Sequence, residues 1–76
     1  MTPRLPAVTP KEVVRVVSKL GFTFDRQSGS HAIYFRESDH RRVIVSIHSG
    51  HTIKPKTLIG IIKDMGLSLD EFREML

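Results

Sequence analysis

The sequence has no cysteine and no tryptophan, and only one of its 76 residues is a tyrosine. Without cysteine the chain can form neither a disulfide nor a thiolate, and cysteine-rich zinc sites are excluded as well. None of its apolar runs approaches the roughly 18 residues of a membrane-spanning helix, and the N-terminus lacks the apolar stretch of a signal peptide. We therefore expect a cytoplasmic protein with no membrane association.

The short chain limits what the protein can hold. We expect one small domain, residues 1–76, with room for a single sheet and a few helices but not for a large enclosed cofactor pocket. The sequence contains no glycine-rich phosphate loop and no nucleotide-cofactor fingerprint. We therefore predict no cofactor and no small-molecule ligand of that kind.

Residues 1–63 carry an excess of positive charge, whereas residues 64–76 carry an excess of negative charge. Residues 1–63 carry eleven Lys or Arg and four acidic residues, whereas residues 64–76 carry one Arg and four acidic residues. A basic body with an acidic end is typical of proteins that bind a phosphate backbone. A domain with an ordinary solvated lysine surface has the same composition, so charge alone does not decide the function.

The sequence predicts three helices. The first and the last begin at capping boxes, in which a Thr or Ser is followed three residues later by Glu. The first helix follows Thr9 and stops at Gly21, the second runs from Pro55 to Gly66, and a short third helix follows Ser68. Residues 1–8 are predicted to be an irregular lead-in.

Three runs rich in strand-forming residues lie between the first two helices. We place strands at 22–26, at 30–36 and from 41 or 42 to 48, with the first turn at 27–29. Short polar links predict hairpins and hence a three-stranded antiparallel sheet. The predicted fold class is α+β, in the order α-β-β-β-α, with the helices on one face of the sheet and a short extra C-terminal helix. Double-stranded RNA-binding domains have the same order, but topology alone does not establish function.

The element Gly29-Ser30-His31, at the mouth of the second strand, is the most informative motif. Strand parity places His31 on the face of Ile33 and Phe35, the more apolar face of that strand. Imidazole takes and gives a proton near neutral pH, which suits general acid–base catalysis. The alternative is a rim histidine that only bonds the backbone. Because no Ser-His-Asp arrangement is visible, we interpret Ser30 as a turn residue or a hydroxyl donor.

A second histidine, His48, ends the third strand at the same edge of the predicted sheet. It is a candidate second proton carrier or a support for His31, depending on the strand register. His48 and His51 have the spacing of metal ligands. No cysteine or nearby carboxylate completes a ligand set, so we predict no metal.

Several side chains are candidates for contact with RNA. Cations flank the second hairpin and open the second helix, where unpaired backbone N–H groups also favour a phosphate. These cations are Arg36, Arg41, Arg42, Lys54 and Lys56. The single tyrosine, Tyr34, either stacks on a base or packs in the core. The same features would serve a module that binds RNA without cutting it.

Five segments together resemble the HicA (YcfA-like) toxins of bacterial toxin–antitoxin pairs, from about Thr9 onward. The segments are Leu20-Gly21-Phe22, Arg26 to His31, Val45 to His48, Thr57 to Ile62 and Gly66 to Phe72. The resemblance implies a double-stranded-RNA-binding-like fold and an endoribonuclease that cleaves messenger RNA through His31. It also implies silencing by a HicB antitoxin as protein partner.

The chain departs from the family pattern at two positions. Ser46 stands where the family usually has proline, and Lys56 stands where it usually has glycine. Neither position is His31, so the expected mechanism is unchanged. In it, a histidine acts as general acid and base on RNA without a metal.

Overall fold

The computed structural model describes residues 5–47 and 51–76 of the chain. The elements there are α1 (Pro10–Lys19), β1 (Thr23–Ser28), β2 (His31–Arg36), β3 (Arg41–Ser46), α2 (Pro55–Met65) and α3 (Leu69–Met75). The strands form one antiparallel sheet in the order β1-β2-β3. The predicted α+β fold with the order α-β-β-β-α and a short C-terminal helix is confirmed.

Local hydrogen bonds define where α1 and α3 begin. The amide N–H of Glu12 donates to the Thr9 hydroxyl at 3.3 Å, and the Thr9 amide donates to the Glu12 carboxylate at 3.0 Å. Ser68 and Glu71 form the same reciprocal pair at the start of α3. The bonds that the backbone amides of Thr9 and Ser68 donate to the carboxylates lower the pKa of Glu12 and Glu71, because each favours the charged carboxylate.

The hydrophobic core lies between the helices and one face of the sheet, and both α1 and α2 lie against β3. Each element except β1 contributes fully or nearly buried side chains to it. The helices supply Val13, Val16, Val17, Leu58, Ile61, Ile62, Met65 and Phe72, and the sheet supplies Ala32, Tyr34, Val43 and Val45. Burial of this apolar surface is the main stabilising contribution to the fold.

The predicted irregular lead-in is packed against the rest of the protein in its described part. Val8 is 1% exposed and belongs to the core. Its carbonyl accepts a hydrogen bond of 2.8 Å from the amide of Ile53, just before α2. This contact ties the chain that precedes α1 to the chain that precedes α2.

The first hairpin differs from the prediction. Residues 27 and 28, predicted to form the turn, belong to β1, and Ser28 pairs with His31. The loop is therefore only Gly29 and Ser30. Gly29 has φ +59°, and the first position of a two-residue type II′ loop requires such a glycine. The Gln27 side-chain amide donates to the Gly29 carbonyl at 3.0 Å, which reinforces the turn.

Candidate active site on the open face of the sheet

His31 lies on the face of the sheet that the helices leave open. As predicted, it shares a face with Ile33 and Phe35, but the helices pack against the opposite face, through Ala32 and Tyr34. By composition this is the more apolar face of β2, as predicted, and Ile33 on it is only 8% exposed. The core nevertheless forms on the other face of the sheet, because the β3 residues on that face are Val43 and Val45. As a result the His31 side chain is exposed to solvent.

Two serines lie directly opposite His31, one on each neighbouring strand. Ser28 of β1 and Ser46 of β3 are its register partners. Side chains directly opposite one another in an antiparallel pair lie on the same face, with Cβ atoms about 4.5–5.5 Å apart. The imidazole therefore has a hydroxyl-bearing residue on either side. We call Ser28, His31 and Ser46 the Ser-His-Ser row.

A β-bulge in β1 is what puts Ser28 in that row. Phe24 pairs with Tyr34, and Arg26 pairs with Ile33, so Asp25 is an extra residue without a partner on β2. One inserted residue reverses the alternation of the rest of the strand. Without the bulge, Arg26 and Ser28 would lie on the helix-covered face.

Two arginines share the open face with His31. Arg26 lies in the second row of side chains, level with Ile33 and Ile44. Arg42 lies in the third row opposite Phe35, with its guanidinium carbon 5.5 Å from the centroid of that ring. Successive rows on one face are about 7 Å apart. The open face therefore combines an exposed imidazole with two cations, of which Arg26 was not among the predicted site residues.

Backbone pairing continues beyond His31 on the side of β3. The amide of Ile47 donates to the carbonyl of Ser30, closing the edge of the hairpin next to the histidine. Ser30 thus holds the chain through its backbone, in agreement with its interpretation as a turn residue. The position of His31 is restrained from both neighbouring strands.

A cavity of about 500 Å³ opens at the same end of the sheet, between the end of β3 and the starts of α1 and α2. Its lining includes Ser46, His51, Lys54 and Thr57. Lys54 is the N-cap of α2 and provides no side-chain capping bond. Lys54, at the start of α2, and Ser46, at the end of β3, therefore line the same cavity. Lys56, in the first turn of α2, is exposed and does not line this cavity.

Two of the predicted RNA contacts are engaged elsewhere. Arg36 forms two hydrogen bonds to Asp39, at 2.8 and 2.9 Å, donates to the Leu20 carbonyl at 2.9 Å, and lies 4.5 Å from the centroid of the Phe22 ring. The Nε of Arg41 lies 3.2 Å from the Asp39 carboxylate. Both arginines are at the end of the β2–β3 hairpin opposite His31. Their contacts with Asp39 support the turn between β2 and β3, and contact of these two arginines with RNA stays a prediction.

The ion pair between Arg36 and Asp39 changes the acidity of the aspartate. The hydrogen bond from the Arg36 guanidinium is the main cause that lowers the pKa of Asp39 to about 2, and Arg41 contributes in the same direction. Asp39 is thus charged throughout the pH range in which the protein would function. Its charge fixes the turn between β2 and β3.

The alternatives for Tyr34 are decided by its burial. The residue is 9% exposed and belongs to the core. Its ring meets Phe24 edge to face, with 5.7 Å between the centroids. The packing interpretation is correct, and little of the ring is left for a base to stack on.

The predictions for the second histidine are tested only in part. His48 lies outside the described residues. His51 is exposed and lines the cavity beside Ser46. Within residues 5–47 and 51–76, no three side chains of the metal-ligating types come together.

In that same part of the chain, no helix combines the length and the apolar character that crossing a bilayer requires.

The fold and the site together define a small α-β-β-β-α protein with an accessible histidine on the open face of its sheet. The family model of the HicA toxin of bacterial toxin–antitoxin systems matches residues 10–67, about three quarters of the chain. A comparison with curated proteins found no match. The chain belongs to the HicA toxin family. It is therefore the toxin of a toxin–antitoxin pair, with an antitoxin as its partner.

Proposed function

We propose that the protein is a metal-independent endoribonuclease that cleaves messenger RNA, with His31 as the catalytic base. One observation carries the proposal. The imidazole of His31 is exposed on the open face of the sheet, and its backbone is held by β-pairing on both sides. Arg26 and Arg42 provide positive charge on the same face.

RNA supplies its own nucleophile, the 2′-hydroxyl beside the scissile phosphate. His31 removes the proton of this hydroxyl, the 2′-oxygen bonds to phosphorus, and the bond to the 5′-oxygen breaks. The departing 5′-oxygen takes up a proton from the imidazolium or from water. The products are a 2′,3′-cyclic phosphate and a 5′-hydroxyl. General base catalysis of this kind contributes about 10²–10⁴-fold to the rate.

Negative charge accumulates on the phosphate oxygens as the 2′-oxygen attacks. The positive charges of Arg26 and Arg42 stabilise this negative charge electrostatically. Lys54 and Lys56 attract the phosphates of the RNA that flank the scissile bond. A HicB-type antitoxin would silence the toxin in the cytoplasm. The acidic residues that it presents to this basic surface would make its association rate fall with increasing salt.

The test compares three proteins on one substrate. Purified parent, His31→Ala and His40→Asn are incubated with a long structured RNA in the presence of EDTA. His40 is a matched control because it is an exposed histidine at the opposite end of the hairpin, and asparagine tolerates its φ of +56°. We expect the parent and His40→Asn to cleave, and His31→Ala to be at least 100-fold slower with an unchanged circular dichroism spectrum.

Each alternative outcome has a defined meaning. RNA that the parent shifts in a gel but leaves intact would point to a non-catalytic RNA-binding module of the same fold. Products with a 3′-hydroxyl and a 5′-phosphate would exclude attack by the 2′-hydroxyl. Equal cleavage by parent and His31→Ala would remove His31 from the mechanism.

A further inference from the structure

The Ser-His-Ser row carries two hydroxyl groups, one on each side of the imidazole. None of the side-chain hydrogen bonds among residues 5–47 and 51–76 involves the hydroxyl of Ser28 or Ser46. Ser28 is exposed and Ser46 is half-buried. Both are thus available to a ligand that approaches His31 from the open face.

The spacing of the row suits a single phosphate group. Neighbouring strands are about 4.8 Å apart, so the two serine Cα atoms lie about 10 Å from each other with His31 midway between them. Hydroxyl donors reach an anionic oxygen at about 2.5–2.7 Å, and each side chain contributes part of the remaining span. One phosphate centred over the histidine can therefore accept a hydrogen bond from each side.

We propose that Ser28 and Ser46 form the seat of the scissile phosphate, with each hydroxyl donating a hydrogen bond to one of its non-bridging oxygens. The ligand class is a phosphodiester of single-stranded RNA lying across the strands. This inference rests on the proposed function, because the seat places the phosphate within reach of the His31 base. It adds two substrate-contacting residues that the Gly-Ser-His element does not contain.

The two donors come from different structural features. Ser28 reaches the row only because of the bulge at Asp25. Ser46 is held against His31 by the pairing that continues to the Ile47 amide. Donors that are fixed before the substrate arrives stabilise developing charge without the cost of reorganisation.

The first experiment measures cleavage by Ser28→Ala, Ser46→Ala and the double variant. Ser38→Ala is the matched control, because Ser38 is an exposed serine in the turn at the far end of the hairpin. Each single variant should lose about 10- to 100-fold in kcat/KM, as expected for a lost hydrogen bond to a charged oxygen. The Ser46→Thr variant, which keeps the hydroxyl, should retain most of the activity.

The second experiment does not depend on cleavage. A fully 2′-O-methylated RNA cannot be cleaved by 2′-hydroxyl attack, and its binding is followed by amide chemical shifts. We expect the largest shifts at the Ser-His-Ser row and weaker binding by both serine variants. If the parent binds in this way but cleaves no natural RNA, the seat stands and the proposed activity fails.

Three results would overturn the seat. Cleavage by both alanine variants at the rate of the parent would show that the hydroxyls do not contact the reacting phosphate. Equal losses in Ser46→Ala and Ser46→Thr would assign the effect to packing instead of hydrogen bonding. Chemical shifts confined to the helix-covered face would place the RNA elsewhere.

Discussion

The same substitution at two glycines should have opposite effects on stability. Gly29, in the β1–β2 turn, has φ +59°, whereas Gly60 lies inside α2. A Cβ atom added at either position meets no atom within 4 Å. New side-chain contacts therefore contribute to the change in stability at neither site, and the two sites differ in their backbone conformation.

The magnitudes follow from the two backbone conformations. Gly29→Ala forces an L-residue into the left-handed region, which costs about 1–2 kcal/mol. Gly60→Ala replaces an exposed helical glycine and stabilises by about 0.5–1 kcal/mol, because alanine has the higher helix propensity and the unfolded chain loses entropy. A domain of this size has a stability of only about 4–11 kcal/mol, so both changes are measurable.

The assay is urea and thermal unfolding of parent, Gly29→Ala and Gly60→Ala, followed by circular dichroism. For a domain of this size 1 kcal/mol corresponds to about 4–8 °C in Tm. We expect Tm to fall for Gly29→Ala and to rise for Gly60→Ala. Shifts of the same sign and similar size would refute the argument, since they would show that the turn at Gly29 does not require positive φ.

Two further predictions concern the core and the second turn. Phe72→Ala removes a side chain that is 0% exposed and should cost about 3–5 kcal/mol in urea unfolding, whereas Leu76→Ala, at a position 45% exposed, should change stability by about 0.5 kcal/mol or less. Similar losses for both would contradict the burial of α3 against the core. Folding lowers the pKa of Asp39 from its usual 3.8 to about 2, so its stabilising contribution is complete above about pH 4 and is lost as the pH falls toward 2. The stability difference between parent and Asp39→Asn should shrink over that interval, and NMR titration should show a higher Asp39 pKa in Arg36→Lys; a pKa near 3.8 in the parent would contradict the ion pair.

The features predicted correctly from the sequence are those that depend on a few neighbouring residues. Both capping boxes form as predicted, at Thr9 and at Ser68, because each needs only the residue three positions later. The end of α2 at Gly66 follows from its left-handed conformation, with φ +82°. The catalytic assignment of His31 remains a prediction that the proposed cleavage experiment tests.

The sequence left open the environment of side chains that were named from their type alone. Arg36 was a candidate RNA contact because it is a cation beside a hairpin, yet its guanidinium is satisfied by Asp39 and the Leu20 carbonyl. Tyr34 was a candidate stacking residue, yet it belongs to the core. An arginine or a tyrosine can serve either purpose, and its partners come from distant parts of the chain.

By itself the sequence determined the order of the elements, the ends of the helices and the presence of a histidine at the start of β2. Those features arise from capping, turn chemistry and apolar periodicity, which act over three or four residues. Only the tertiary structure decided which face of the sheet the helices cover. It also decided that the bulge at Asp25 brings Arg26 and Ser28 to the face of His31. Register is a property of two paired strands, and a shift of one residue exchanges the two faces, so no single segment contains that information.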